Sequence, residues 1–204
     1  MLIINHQINT IEGLQKTPPE FGVEIDIRAY QDRLVLHHEP FVEGEDLEEF
    51  LKHYNHAFII FNVKCEGIEK EVIRLAEKYG IENYFLLDVT PPFMFKLINQ
   101  GISKLAARFS EFESIETCLN LKGKVEWVFI DNLTHLPVEN NAFQRLKEHF
   151  KLCIVSPELL KRDEIEKTKE ILKNNPVDAV LTDDILRWNN ENNHPHGGER
   201  QAFQ

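Results

Sequence analysis

"GVEIDIRAYQDRLVLHHEP", residues 22–40, decides the fold of this 204-residue chain. Val23, Ile25 and Ile27 alternate with Glu24, Asp26 and Arg28. Successive side chains of a strand point to opposite faces, so one face is aliphatic and the other charged. A second short extended piece, "LVLH" (34–37), follows, and then the pair His37 and His38. Two carboxylates on one side of a buried strand repel each other and need a cation. A hard divalent ion, Mg2+ or Ca2+, meets that need with oxygen ligands. Arg28, on the same face, meets it equally well as an internal ion-pair partner. The residues leave both alternatives open.

Outward from this stretch, short apolar runs alternate with longer amphipathic ones. Strand candidates are residues 2–5, 22–27, 57–63, 84–89, 104–109, 126–131, 152–156 and 179–183, rich in aliphatic, β-branched and aromatic side chains. Helix candidates span 45–54, 68–80, 91–101 and 157–175, the last the longest. Strand–helix alternation implies parallel β/α construction. Eight such units close into a (β/α)8 TIM barrel, here a short version occupying residues 1–188 as one domain. A doubly wound sheet is the main alternative fold. No GxGxxG or P-loop follows any strand, which argues against its common nucleotide-binding forms.

Active sites of parallel barrels lie at the C-terminal ends of the strands. In this chain those ends carry His6; Glu24, Asp26 and Arg28; Asn62 and Lys64; Asp88; Arg108 and Glu111; Asp131; Ser156 and Glu158; and Asp183. Ser156 before "PELL" and Asp183 before "DILRW" read as helix N-caps. The remaining polar ends converge on one mouth. The charged face of residues 22–28 points into it, while the aliphatic face packs under helices. His6 and His38 titrate near neutral pH and suit a general acid and base pair. His53, His56, His135 and His149 read as ordinary surface residues.

Composition narrows the function. The net charge of −11 argues against nucleic acid and anionic membranes as main partners. No apolar run is long enough for membrane insertion. The N-terminus, "MLIINHQ", has no basic n-region and reads as no signal peptide. Cys65, Cys118 and Cys153 are odd in number and widely spaced, so they read as reduced thiols of a cytoplasmic protein. Residues 189–204, "NNENNHPHGGERQAFQ", are polar and aperiodic and read as a disordered tail. A homo-oligomer is left open.

"EIDIRAYQDRLVLHHEP" also resembles the signature of the glycerophosphodiester phosphodiesterases, within the phosphatidylinositol phospholipase C-like phosphodiesterase superfamily. His6 takes the place of the family's first histidine, and "INTIEGL" (8–14) resembles its "ENT" segment. Glu24 and Asp26 form its acidic pair, "HEP" (38–40) stands for "HDP", and "FNVK" (61–64) for its Glu-x-Lys strand end. The resemblance covers about residues 1–186, the first 40 specifically and the rest in pattern. It implies His6 and His38 as catalytic residues and Glu24, Asp26 and Asn62 as ligands of Mg2+ or Ca2+. Gln7, Arg28, Lys64 and Arg108 would bind a small phosphorylated substrate. The implied reaction is hydrolysis of a soluble glycerol- or sugar-linked phosphodiester through a cyclic phosphate.

Gln7-Ile8 replaces the family's Arg-Gly, the loop after His6 is shorter, and Asn62 stands where a third metal carboxylate is expected. These departures motivate a different reading, a non-catalytic binder of phosphorylated metabolites on the same barrel. An unrelated barrel lyase or isomerase would need a catalytic lysine, for which Lys64 is the one strand-end residue in register.

Overall fold

The computed structural model describes residues 1–189. Its strands, in chain order, are β1 (Leu2–Asn5), β2 (Gly22–Tyr30), β3 (Arg33–Leu36), β4 (Glu45–Asp46), β5 (Phe58–Val63), β6 (Tyr84–Leu87), β7 (Ala106–Phe109), β8 (Trp127–Ile130), β9 (Lys151–Val155) and β10 (Ala179–Thr182). β1 pairs in parallel with both β10 and β2, β2 with β5, and β5 with β6. β7, β8, β9 and β10 continue the parallel series. The ring closes between β6 and β7 through one bridge, Leu86 to Leu105, and a Leu86 N–H bond to the Lys104 carbonyl of 3.0 Å. The result is a short (β/α)8 barrel. β3 and β4 form an antiparallel flap on the far end of β2.

Helices α1 (Ile11–Lys16), α2 (Leu47–Leu51), α3 (Glu69–Lys78), α4 (Pro91–Ile98), α5 (Ile115–Leu119), α6 (Ala142–Lys147), α7 (Ile165–Asn174) and α8 (Ile185–Asn189) cover the ring. Every residue of β5 is buried, as expected where a parallel strand is covered on both faces. Val23, Ile25 and Ile27 face the helices in the larger core, while Ile4, Ile60, Phe85, Phe129 and Leu181 fill the barrel itself. Burying each such side chain contributes about 1.5–3 kcal/mol. Phe58, Phe85 and Trp127 stop the lower end, their ring centroids 5.0–5.7 Å apart. Gly22 is required beside them: a Cβ there would lie 3.0 Å from Ile4 Cγ1 and 3.1 Å from the Phe58 carbonyl.

Two local expectations change. The single helix over 157–175 is broken into a 3-10 turn (Pro157–Leu160) and α7, with Lys161 left-handed at φ 60° between them. Arg162 explains the break, because its guanidinium turns back to donate to the Asn132 side-chain oxygen at 2.7 Å. The helix over 45–54 shrinks to Leu47–Leu51. Glu45 and Asp46 pair with β3 instead, and the Asp46 carboxylate caps the helix by accepting from Glu49 N at 3.1 Å. Asn189 closes α8, and the rest of the expected tail, 190–204, lies outside the described residues.

Candidate active site

β2 carries the site because it alternates. Glu24 and Asp26 turn into the barrel, each 1 % exposed, and the neighbouring strand β5 sets Asn62 in register with Asp26. The Asn62 amide donates from Nδ2 to Glu24 Oε1 at 2.8 Å and to Asp26 Oδ1 at 3.3 Å. Its own Oδ1 is buried without a hydrogen-bond partner. Asp26 is held further by Asn9, which donates to Oδ2 at 2.9 Å and accepts from Asp26 N at 2.8 Å. Gln7 N donates to Glu24 Oε2 at 2.8 Å. That contact depends on a left-handed Gln7, φ 51°, while the Gln7 side chain itself lies exposed. Burial pushes the Glu24 carboxyl up, and the charge of Asp26 adds to the rise against the opposing pull of His6, Asn62 and Gln7.

The cation against the acidic pair is Lys64. Its Nζ lies 3.3 Å from Asp26 Oδ1 and 3.5 Å from Asp88 Oδ2. Asp88, left-handed at φ 61°, also binds Arg108 Nε at 2.6 Å, and Arg108 Nη1 reaches Asp131 Oδ2 at 2.5 Å. A continuous polar belt therefore runs from Glu24 through Asp26, Lys64, Asp88 and Arg108 to Asp131. Burial opposes the charge of Arg108, but its two carboxylate partners outweigh that and raise its pKa. Four carboxylates face two permanent cations along this belt, a surplus of two negative charges.

Arg28 does not neutralise the pair. Its Nε and Nη2 donate to the His38 carbonyl at 2.9 and 2.7 Å, and its Nη1 to the Lys64 carbonyl at 2.9 Å. The reason is length: β2 runs on to Tyr30, and Arg28 pairs with Val35 of the flap, past the last residue of β5. Arg28 thus fixes the backbone that carries His38. The His38 ring is half-exposed and bonds Glu39 Oε1 through Nδ1 at 2.8 Å. Gly44 lets the flap loop return, since a Cβ there would stand 2.2 Å from the Leu36 carbonyl oxygen.

His6 follows β1 and lies within the field of Glu24 and Asp26. Its Nδ1 is 3.0 Å from Asp183 Oδ1. Burial lowers its pKa, but the Asp183 bond and the charges of Glu24, Asp183 and Asp26 overcome this and raise it. With Nδ1–H given to Asp183, Nε2 is the nitrogen left for chemistry. Asp183 was expected as a helix cap. Its neighbour Asp184 performs that task, accepting from Arg187 N at 2.9 Å. Ser156 is not a side-chain cap either: it accepts from Trp188 Nε1 at 2.8 Å and bonds Glu158. Glu158 also contacts Thr182 and accepts from Asp183 N at 3.3 Å, bracing the strand end beneath His6's partner. Asn9 is the site residue that the strand-end reading did not single out, while Asp88 stood among the polar ends at the mouth and Asp183 was read as a cap. Asn9 does lie in "INT", and Asp88 and Asp183 at strand ends.

Glu24, Asp26 and Asn62 form an all-oxygen donor set when the amide presents Oδ1, and the two ends of an amide exchange by rotation about χ2. Together with the belt's charge surplus and the unpartnered Oδ1, this set fits a hard divalent ion. Among the described residues no group of three or more His, Cys, Asp or Glu side chains is arranged to hold a metal. A site built on the acidic pair would therefore take its third oxygen from the Asn62 amide.

No family model matches the chain, and no curated protein matches its sequence. Solved structures do. A glycerophosphoryl diester phosphodiesterase from Parabacteroides distasonis is 14% identical with a TM-score of 0.63, over 89% of this chain and 82% of that one. A glycerophosphodiester phosphodiesterase from Agrobacterium tumefaciens is 13% identical with a TM-score of 0.60, over 90% and 97%. A phosphodiesterase from Oleispira antarctica, in complex with the product sn-glycerol-3-phosphate, is 16% identical with a TM-score of 0.63, over 90% and 93%. The fold of this chain is the short (β/α)8 barrel that these three phosphodiesterases share.

Proposed function

We propose that this chain hydrolyses a small phosphodiester of the glycerol- or sugar-linked type. The observation that carries the reading is His6, oriented by Asp183 and set beside the Glu24–Asp26 pair at the mouth of a phosphodiesterase-like barrel. Its raised pKa suits it to enter as the general acid. His38, on the loop held by Arg28, serves as the base. A hydroxyl of the substrate next to the diester attacks phosphorus and gives its proton to His38. The bond to the leaving alkoxide breaks, and His6 supplies that alkoxide's proton. Water then opens the cyclic phosphate with the roles reversed, returning both imidazoles to their starting states. Each proton transfer accounts for a factor of about 10²–10⁴ in rate.

Glu24, Asp26 and Asn62 would hold Mg2+ or Ca2+, which supplies positive charge where the phosphoryl oxygens become more negative. Lys64 and Arg108, already anchored by carboxylates, face the same charge without needing to reorganise. Gln7 borders the entrance in place of a cation, so phosphate recognition rests on Lys64 and Arg108. A specific observation also favours the binder reading. Asn62 brings no charge to the oxygen set and turns its amide nitrogen to both carboxylates, which weakens the site for a divalent ion.

The test is hydrolysis of a glycerophosphodiester panel with Mg2+ or Ca2+ by the parent, His6→Ala and His38→Ala, with thermal melting as the folding control. Loss of turnover in both folded variants is expected. Equal rates in all three would remove the histidine assignment, and binding without turnover in the parent would establish the binder.

A further inference from the structure

The closure between β6 and β7 is the weakest seam of the barrel, one bridge where the other neighbours share two to six paired residues. Above Leu86 and Leu105 the strands separate, and Asp88 and Arg108 span the gap at the mouth. A groove of about 710 Å³ opens along this seam. Its floor is β7 at Ala106 and Ala107, where the helix-facing Ala107 side chain is too small to fill it, and its wall is Met94, Phe95 and Ile98 of α4 with Leu121 opposite. Exposed Glu113, Thr117, Asn120 and Lys124 make its outer rim polar. Its mouth end is Asp88 and Arg108, members of the catalytic belt. This is the size and character of a ligand pocket, apolar within and polar at one end.

A second observation points the same way. The large apolar side chains exposed among the described residues are Met1, Phe41, Val42, Phe95, Phe112, Leu133 and Leu186. Met1 precedes the first strand, at the closed end. Phe41, Val42, Phe112 and Leu133 lie in segments that leave the C-terminal ends of strands, Leu186 in the helix after β10, and Phe95 in the helix after β6. Isolated exposed apolar residues are ordinary, but Phe95 stands exposed on the wall of the groove itself.

We propose that the diester taken by this site carries a single hydrocarbon chain, and that the chain lies in the groove along the open β6–β7 seam. The inference rests on the hydrolytic reading for the phosphate end, while the groove binds the apolar end on its own account. The phosphate meets Lys64 and Arg108, and the chain runs from Arg108 past Ala106 towards Leu121. Thr117 stands at the groove's rim, clear of the belt, so Thr117→Trp fills the groove and leaves the mouth intact.

The binding probe is a series of alkylphosphocholines from methyl to dodecyl, at concentrations below micelle formation, followed by calorimetry. These lack a hydroxyl beside the diester and cannot cyclise, so binding is read without turnover. Affinity is expected to rise with chain length by up to about fourfold per buried methylene, and over at least four methylenes. Thr117→Trp, or Phe95→Asp as a second variant, should weaken the dodecyl compound at least tenfold and leave glycerol 3-phosphate binding unchanged. In parallel, kcat/KM for a 1-dodecanoyl glycerophosphocholine should exceed that for the deacylated diester at least tenfold, and lose that advantage in Thr117→Trp. Affinity independent of chain length, or unaffected by both variants, overturns the proposal even where the short diester is hydrolysed. So does a concentration-dependent dimer abolished by Thr117→Trp, which assigns the groove to a second copy of the chain. Chain-dependent binding without turnover of either diester upholds the groove and overturns the hydrolytic reading alone.

Discussion

Replacing Lys64 by Met removes the one cation among the described residues in contact with Asp26 and tests how the acidic pair is kept stable. Lys64 is 17% exposed and Asp26 1%, so little water screens the contact. Deleting one partner of a buried pair costs about 3–5 kcal/mol. Distances of 3.3 and 3.5 Å are long for charge-assisted bonds, Asn9 and Asn62 still donate to Asp26, and Asp88 keeps Arg108. These remaining contacts bring the cost to the bottom of that range or just below it, about 2–3 kcal/mol. For a chain of this size each kcal/mol lowers Tm by about 2–4 °C, giving a fall of about 4–12 °C. The same substitution removes a positive charge that repels any ion held by Glu24 and Asp26. With an effective dielectric constant of about 20, a unit charge about 5 Å from a divalent ion repels it by on the order of 6 kcal/mol, a hundredfold or more in Kd. A ligand at a hundred times its Kd stabilises by about 2.7 kcal/mol, so Ca2+ should restore most of the lost Tm in the variant. Thermal melting with Ca2+ or EDTA reads both effects. A Tm within 1 °C of the parent, or an equal Ca2+ shift in parent and variant, refutes the reasoning.

Asn62→Asp adds a third carboxylate to the oxygen set and should tighten Ca2+ at least tenfold by calorimetry, while lowering Tm in EDTA. Asp183→Asn should leave KM unchanged and reduce kcat about 10–100-fold, with the basic limb of the pH–rate profile moved to lower pH as His6 loses a charge that raises it. Gly44→Ala should cost about 1–3 kcal/mol or more, read by urea unfolding, because the Leu36 carbonyl occupies the place of the added methyl. Both Glu24 and His6 hold protons more tightly folded than unfolded. Their contribution to stability is therefore complete below the unfolded values, 4.5 for Glu24 and 6.5 for His6, and is lost as pH rises through the raised folded values. In EDTA the parent should lose stability from weakly acidic to weakly alkaline pH, and His6→Gln should flatten the upper part of that slope.

The barrel was legible because its strands are buried on both faces and read as continuous apolar runs, Phe58–Val63 being the clearest. Helices α1, α5 and α6 were not, since five or six residues are too few to display a 3.6-residue period. The break at Lys161 depends on Arg162 reaching Asn132, a contact between distant segments that no local pattern records. At the site, the alternation of Glu24 and Asp26 announced a charged inner face, and the structure turns both inward. Which cation meets them was not readable. Arg28 and Lys64 both lie two residues beyond an inward polar residue, Asp26 and Asn62, and only the extra length of β2 sends Arg28 to backbone carbonyls. Asp183 and Asp184 are adjacent and chemically alike, so assigning one to the cap and one to His6 required the position of β1 beside β10.

Time-resolved 31P NMR of a glycerophosphodiester mixed with the purified chain and Ca2+ or Mg2+ tests the central claim most directly. A transient cyclic phosphate followed by glycerol phosphate is predicted, with both signals absent for His6→Ala. A diester resonance that stays unchanged with the parent chain under either ion, or products formed equally by His6→Ala, would contradict it.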